Sequence, residues 1–171
     1  SELVTSSYRN SYFNTKDYIK HGVAVATARA GNVIGGGDWA DDRLIPDFIR
    51  AITNGEEVKI RSPFAIRPWQ HVLEPLAGYI ILAEHLWTNK SLAGAYNFGP
   101  STQEAAPVRD VIAMACKAYG SGTVQYGGGN QGPHEAGLLA LEIAKAHQTL
   151  GFQPRLTLAD SIQLTMDWYQ S

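Results

Sequence analysis

The sequence predicts an α/β fold, and three observations carry that prediction. Short apolar runs such as Val23 to Ala28 and Ala95 to Phe98 alternate with longer stretches of helical period. Glycines stand just past several of those stretches, at Gly55, Gly120 and Gly151, where helices stop. No repeat, low-complexity tract or charge run interrupts the alternation. Strands alternating with helices imply parallel pairing in a layered sheet.

Element by element, Ser1 to Asn14 carries Leu3, Val4, Tyr8 and Tyr12 near helical spacing and reads as a helix. Val23 to Ala28 is a buried strand of the kind that parallel neighbours cover on both faces. Ile45 to Asn54 is a helix with Pro46 in its first turn, where a missing N–H costs nothing. Glu57 to Arg61 alternates as a short strand, and Gln70 to Val72 makes another. Leu73 to Trp87 is the clearest amphipathic helix, with Leu76, Ile80, Ala83 and Trp87 on one side. Ala95 to Phe98 is a strand and Pro107 to Tyr119 a helix closed by Gly120. Thr123 to Tyr126 is a strand running into the loop GGGNQG. Ile143 to Leu150 is a short helix, and Thr157 to Tyr169 the last one, with Thr157 and Asp160 spaced as a capping box.

Composition narrows the function classes. The chain has 171 residues, ordinary for one compact unit, with 44% hydrophobic and 18% charged side chains. A net charge of −2 with arginines spread singly argues against a nucleic-acid binder, which needs a dense basic patch. The single cysteine, Cys116, excludes an internal disulfide and points to a reducing compartment; its apolar helical setting reads as a buried structural thiol. No apolar run approaches a membrane span and no signal peptide is legible, so the expected location is the cytoplasm. The histidines have no metal-ligand spacing with one another or with Cys116, and no metal is expected.

The polar residues gather in two places. RAGNVIGGGDW (Arg29 to Trp39) is a glycine-dense turn at a strand end, and DRLIPD and IRPWQHV follow within a few dozen residues. A diphosphate with a planar base and a sugar calls for arginines, backbone N–H groups, amides and an apolar slot. Asn32 can donate its amide to a phosphate oxygen while Gly35 to Gly37 let the backbone come close; equally, Asn32 is a turn former. Arg67, pushed toward an extended conformation by Pro68, can hold its guanidinium over such a site. Its alternative is a surface arginine. Arg29 fixes a strand end through local hydrogen bonds, and His71 is buried and hydrogen-bonded in its strand.

These motifs resemble those of the extended short-chain dehydrogenase/reductases that act on nucleotide sugars, most closely the CDP-glucose 4,6-dehydratases. The resemblance runs from Ser1 to about Trp168 and rests on GNVIGGGDW, RLIPD, IRPWQHVLEPLAGY, YNFGP and PHEA. It implies the C-terminal half of such an enzyme. Residues 1–40 would be the last elements of the NAD-binding Rossmann domain, and residues 41–171 mainly the nucleotide-sugar-binding lobe. The resemblance places the family's NAD glycine turn and its Tyr-x-x-x-Lys helix ahead of Ser1, so no catalytic residue is expected in this sequence, although the same Tyr-to-Lys spacing recurs further on at Tyr12 and Lys16.

By the same resemblance, Ala30 and Gly31 would pass beneath the nicotinamide of NAD. Asn32, Arg43, Leu44, Ile45, Arg67, Asn97, His134 and Glu135 would contact the nucleotide sugar, CDP-glucose. The reaction implied is conversion of CDP-glucose to CDP-4-dehydro-6-deoxyglucose and water, in deoxysugar and surface-polysaccharide synthesis such as that of O-antigen. The complete enzyme would be a homodimer. Alternatives are another nucleotide-sugar dehydratase or epimerase, or a nucleotide-binding piece without chemistry. After PHEA the chain departs from the family wording, with Gly137 and Ala140 where relatives carry polar side chains, which leaves specificity open.

Overall fold

The computed structural model describes residues 1–127 and 137–171. His134 and Glu135 lie outside the described residues.

The chain opens with helix α1 (Glu2–Tyr12) and a single turn, α2 (Tyr18–His21). Strand β1 (Thr27–Ala30) leads directly into β2 (Asn32–Ile34), and a long loop reaches α3 (Leu44–Thr53). Three short strands follow, β3 (Val58–Ile60), β4 (Ile66–Arg67) and β5 (Trp69–His71), then helix α4 (Leu73–Thr88). The order continues with β6 (Ala95–Phe98), β7 (Ala106–Pro107), α5 (Val108–Tyr119) and β8 (Val124–Tyr126). Helices α6 (Ala144–Leu150) and α7 (Leu158–Gln170) complete it.

Pairing is mostly parallel, as the alternation of elements requires. Strand β1 runs beside β6 with Thr27 opposite Ala95, β2 beside β5 with Asn32 opposite Trp69, and β3 beside β8 with Val58 opposite Val124. The pair β4–β7 is antiparallel. Ile66 also forms a parallel bridge with Leu138.

Two apolar clusters hold these pairs. One gathers Phe48, Ile49, Val58, Ile60, Trp69, Val111, Ile112, Ile162 and Met166 from α3, β3, β5, α5 and α7. The other gathers Leu82, Tyr96, Phe98, Ala146, Leu150 and Phe152 from α4, β6, α6 and the segment after it. Phe98 packs edge-on against Phe152 and Tyr79. Helix stops and starts behave as their residues dictate. Gly120 and Gly151 close α5 and α6 with left-handed backbones, and Thr157 and Asp160 form both halves of the capping box on α7.

Two expectations are corrected. The strand expected at Val23 to Ala28 lies further on, at Thr27–Ala30, and is half exposed rather than buried. It pairs on one side only among the described residues, so the apolar run finds no second neighbour to cover it. Helix α4 buries Glu74, Pro75, Gly78 and Leu82, whereas the side expected to face inward points out, with Ile80 70% and Trp87 90% exposed. The helix is apolar nearly all round, so its period does not choose a face. Gly78 does: a Cβ there would overlap the Phe98 ring, and only glycine lets helix and strand come so close.

Candidate functional site

Where β2 ends, the loop to α3, the first turn of α3 and strand β3 enclose a cavity of about 470 Å³. Its apolar floor comes from Val58, Ile60, Trp69 and Val108, and Trp69 is fixed by its indole N–H donating to the Ala106 carbonyl at 3.1 Å. Its walls carry four cations, Arg43, Lys59, Arg61 and Arg67, against three carboxylates, Asp38, Asp42 and Asp47. Arg43 and Arg61 are partly neutralised among the described residues. Arg43 pairs with Asp38 at 3.1 Å, and Arg61 reaches Asp42 at 3.9 Å.

Arg67 differs from the others because it is buried, at 7% exposure, with its guanidinium donating to the Ile66 carbonyl at 2.8 Å. A guanidinium held inside a cavity wall is preorganised for a bidentate anion. Helix α3 adds to this. Its N-cap residue, Arg43, supplies no side-chain cap, and Leu44, Ile45, Pro46 and Asp47 of the first turn all line the cavity. The Leu44 and Ile45 N–H groups and the positive end of the helix dipole therefore face the same space as Arg67, whereas Pro46 has no N–H and the Asp47 N–H donates to the Arg43 carbonyl at 2.9 Å.

Of the residues singled out from sequence, Gly31, Asn32, Arg43, Leu44, Ile45 and Arg67 line this one cavity. Ala30 and Asn97 do not. Ala30 ends β1, and the Asn97 amide donates to the Glu142 carbonyl at 3.0 Å. Gly31 sits where the two strand pairs meet, and a Cβ on it would come 2.9 Å from the Pro68 ring and 3.0 Å from Leu141. Arg29 finds its carboxylate on α1, with Glu2 at 3.9 Å, not locally. His71 is buried as expected, and its Nδ1 accepts the Leu73 N–H at 3.3 Å, which places the proton of the neutral ring on Nε2. Burial lowers the His71 pKa, and nearby Glu74 opposes the shift. Cys116 is partly buried within α5, and that burial raises its thiol pKa.

The three glycines act differently from the expectation. A Cβ at Gly35 would come 2.7 Å from Val72, and one at Gly36 would overlap the Trp168 ring. Gly37 takes a left-handed φ of 78°. The close approach they permit is thus to the protein itself. Sequence reading also passed over Lys59, Arg61, Asp38, Asp42 and Asp47. The period-2 pattern of β3, which buries Val58 and Ile60 and turns Lys59 outward, is the signal that could have found the first of these.

No family model matches the chain. Over its whole length it is 45% identical to CDP-glucose 4,6-dehydratase of Salmonella typhimurium, of which it covers 48%. It is 26% identical to dTDP-glucose 4,6-dehydratase of Streptomyces griseus, over 89% of this chain and 44% of that protein. The chain thus spans about half the length of the curated relatives it matches. Among solved structures, UDP-glucuronic acid 4-epimerase of Bacillus cereus, in complex with UDP-glucuronic acid and NAD, superposes with a TM-score of 0.79. The match covers 99% of this chain and 49% of that one at 18% identity. The dTDP-glucose 4,6-dehydratase of Streptomyces venezuelae, solved with NAD bound, gives 0.78 over 99% of this chain and 48% of that one, at 20% identity. The chain therefore has the fold of about half of these nucleotide-sugar epimerases and dehydratases and is similar along its whole length to CDP-glucose 4,6-dehydratase.

Proposed function

We propose that this chain is the substrate-binding portion of an NAD-dependent nucleotide-sugar 4,6-dehydratase, and that its nucleotide sugar is CDP-glucose. The observation that carries the reading is the convergence of buried Arg67, Asn32 and the uncapped start of α3 on one cavity. A pyrophosphate fits that convergence, because it offers oxygens to a guanidinium, an amide and helix N–H groups together. The 45% identity to a CDP-glucose 4,6-dehydratase favours cytidine over other bases.

The overall conversion would be CDP-glucose to CDP-4-dehydro-6-deoxyglucose and water. NAD would supply the hydride acceptor when bound, but among the described residues no dinucleotide cradle is formed. Gly31, the nearest candidate, is packed against Pro68 and Leu141. The chain's own contribution is to bind and orient, with the proton and hydride chemistry residing outside it, and by itself it is inactive. In the complete enzyme, residues 1–40 belong with the NAD-binding domain, 41–171 mainly with the substrate lobe, and the assembly is a homodimer in the cytoplasm.

Thermal unfolding of the chain with CDP, dTDP, UDP and GDP tests the reading. Ligand at about 100 times its dissociation constant adds roughly 2.7 kcal/mol of stability. A transition raised by CDP and not by the others is the expected result. An equal response to all four would replace CDP-glucose by another nucleotide sugar, and no response to any would remove the reading.

A further inference from the structure

The loop from Gly35 to Asp42 forms the cavity's rim, yet much of what holds it comes from the far end of the sequence. The Trp168 ring lies on the backbone of Gly36, leaving no room for a Cβ, and stays within 3.6 Å of the Cβ position of Gly37. The Tyr169 hydroxyl donates to the Asp38 carbonyl at 2.6 Å. Trp39 packs edge-on against Tyr169, with ring centres 5.2 Å apart, and Trp168 meets Tyr169 the same way at 5.1 Å.

On its other side the loop is tied by Arg50, which donates to the Trp39 and Ala40 carbonyls at 3.0 and 3.2 Å. Between these two anchors stands Asp38. Its carboxylate accepts from the Ala40 N–H and from Arg43, both at 3.1 Å, so where Asp38 sits decides where Arg43 points. Neither Trp168 nor Tyr169 lines the cavity. Burial, and then the nearby Asp38 carboxylate, raise the Tyr169 pKa, so the phenol remains a hydrogen-bond donor through the physiological range.

We infer that Trp168 and Tyr169 are positioning residues for the cavity: the last turn of α7 sets the conformation of the Gly35–Asp42 rim and, through Asp38, the aim of Arg43, and so controls nucleotide affinity. The affinity part rests on the functional reading above; the conformational part does not.

The test uses the full chain with Trp168→Ala, Trp168→Phe and Tyr169→Phe, and with Leu164→Ala, an exposed position on the same helix, as the control. Amide hydrogen exchange over residues 35–42 and calorimetric CDP titration are read together with the unfolding midpoint. Trp168→Ala is expected to speed exchange of the rim amides and weaken CDP binding by about tenfold, a cost in keeping with small misplacements of binding groups. Trp168→Phe should recover most of both, and Leu164→Ala should change neither. Unchanged rim exchange in Trp168→Ala overturns the inference, as does an equal loss of affinity in Leu164→Ala, which would mark a merely global effect. If the parent chain binds no CDP, the functional reading falls while the exchange experiment still decides the positioning role. Should Trp168→Ala fail to fold, Tyr169→Phe removes only a hydroxyl and is judged by the same measurements: faster rim exchange supports the inference and unchanged exchange overturns it.

Discussion

The two apolar clusters are built from similar elements but differ in how they are closed. The cavity-side cluster is wrapped by α3, α5 and α7 over the strands, and its strand β5 buries all three of its residues. The other cluster rests on α4, β6 and α6, and its strand β1 and the outer side of α4 stay open to solvent, Trp87 most of all. The difference teaches that the more fully covered region of this chain is the one that shapes the cavity, while the second region presents apolar surface. Two buried polar groups stitch them together. Gln70 on β5, only 2% exposed, donates to the Phe98 carbonyl of β6 at 2.9 Å. Glu74 on α4 accepts the Arg155 and Leu156 N–H groups at 2.9 and 2.7 Å, fixing the approach to α7.

The largest expected effect breaks the clusters one at a time. Phe48 and Phe98 are each 0% exposed, one in each cluster. Replacing either by alanine should cost about 3–5 kcal/mol in denaturant unfolding. Phe48→Ala should also abolish the stabilisation by CDP, whereas Phe98→Ala, measured where it is still folded, should keep it. Equal loss of the ligand response in both would mean the clusters behave as one core.

A smaller effect is expected at the seam. Glu74→Leu removes the acceptor of two backbone N–H groups and should destabilise by about 1–3 kcal/mol, while Glu74→Gln, which can still accept, should lose less. Chemical denaturation of the two variants side by side checks this. A broadened or two-step transition in Glu74→Leu would show the regions coming apart.

The smallest is a pH effect at His71. Its folded pKa is lowered, chiefly by burial, so between that value and the unfolded value of about 6.5 the unfolded chain binds more protons. Stability from this group is therefore complete above about pH 6.5 and is lost as pH falls toward the folded pKa. The slope of stability against pH in that window should flatten in His71→Gln, as followed by urea unfolding at a series of pH values.

Much of the fold was legible because local chemistry decided it. Gly120 and Gly151 end helices for backbone reasons, and the Thr157–Asp160 box starts one, wherever the neighbours lie. What was not legible depended on distant partners. The face of α4 is chosen by Phe98 lying against Gly78, and the seat of Gly36 by Trp168, which no period in either segment encodes. The site divides the same way. Asn32, Arg43 and Arg67 stand out as polar residues in glycine- or proline-marked turns, whereas Lys59 and Arg61 look like ordinary solvated charges until β3 is placed beside the cavity.

The contact between Tyr169 and Asp38 spans 131 residues, which gives the rim a schedule as well as a shape. During synthesis at about 5–20 residues per second, the rim leaves the ribosome roughly 7–26 s before the helix turn that seats it. Through that interval the glycine run and Trp39 have no aromatic partner to dock against. The mouth of the cavity thus sets only once α7 has been made, and the last turn of that helix decides whether it does.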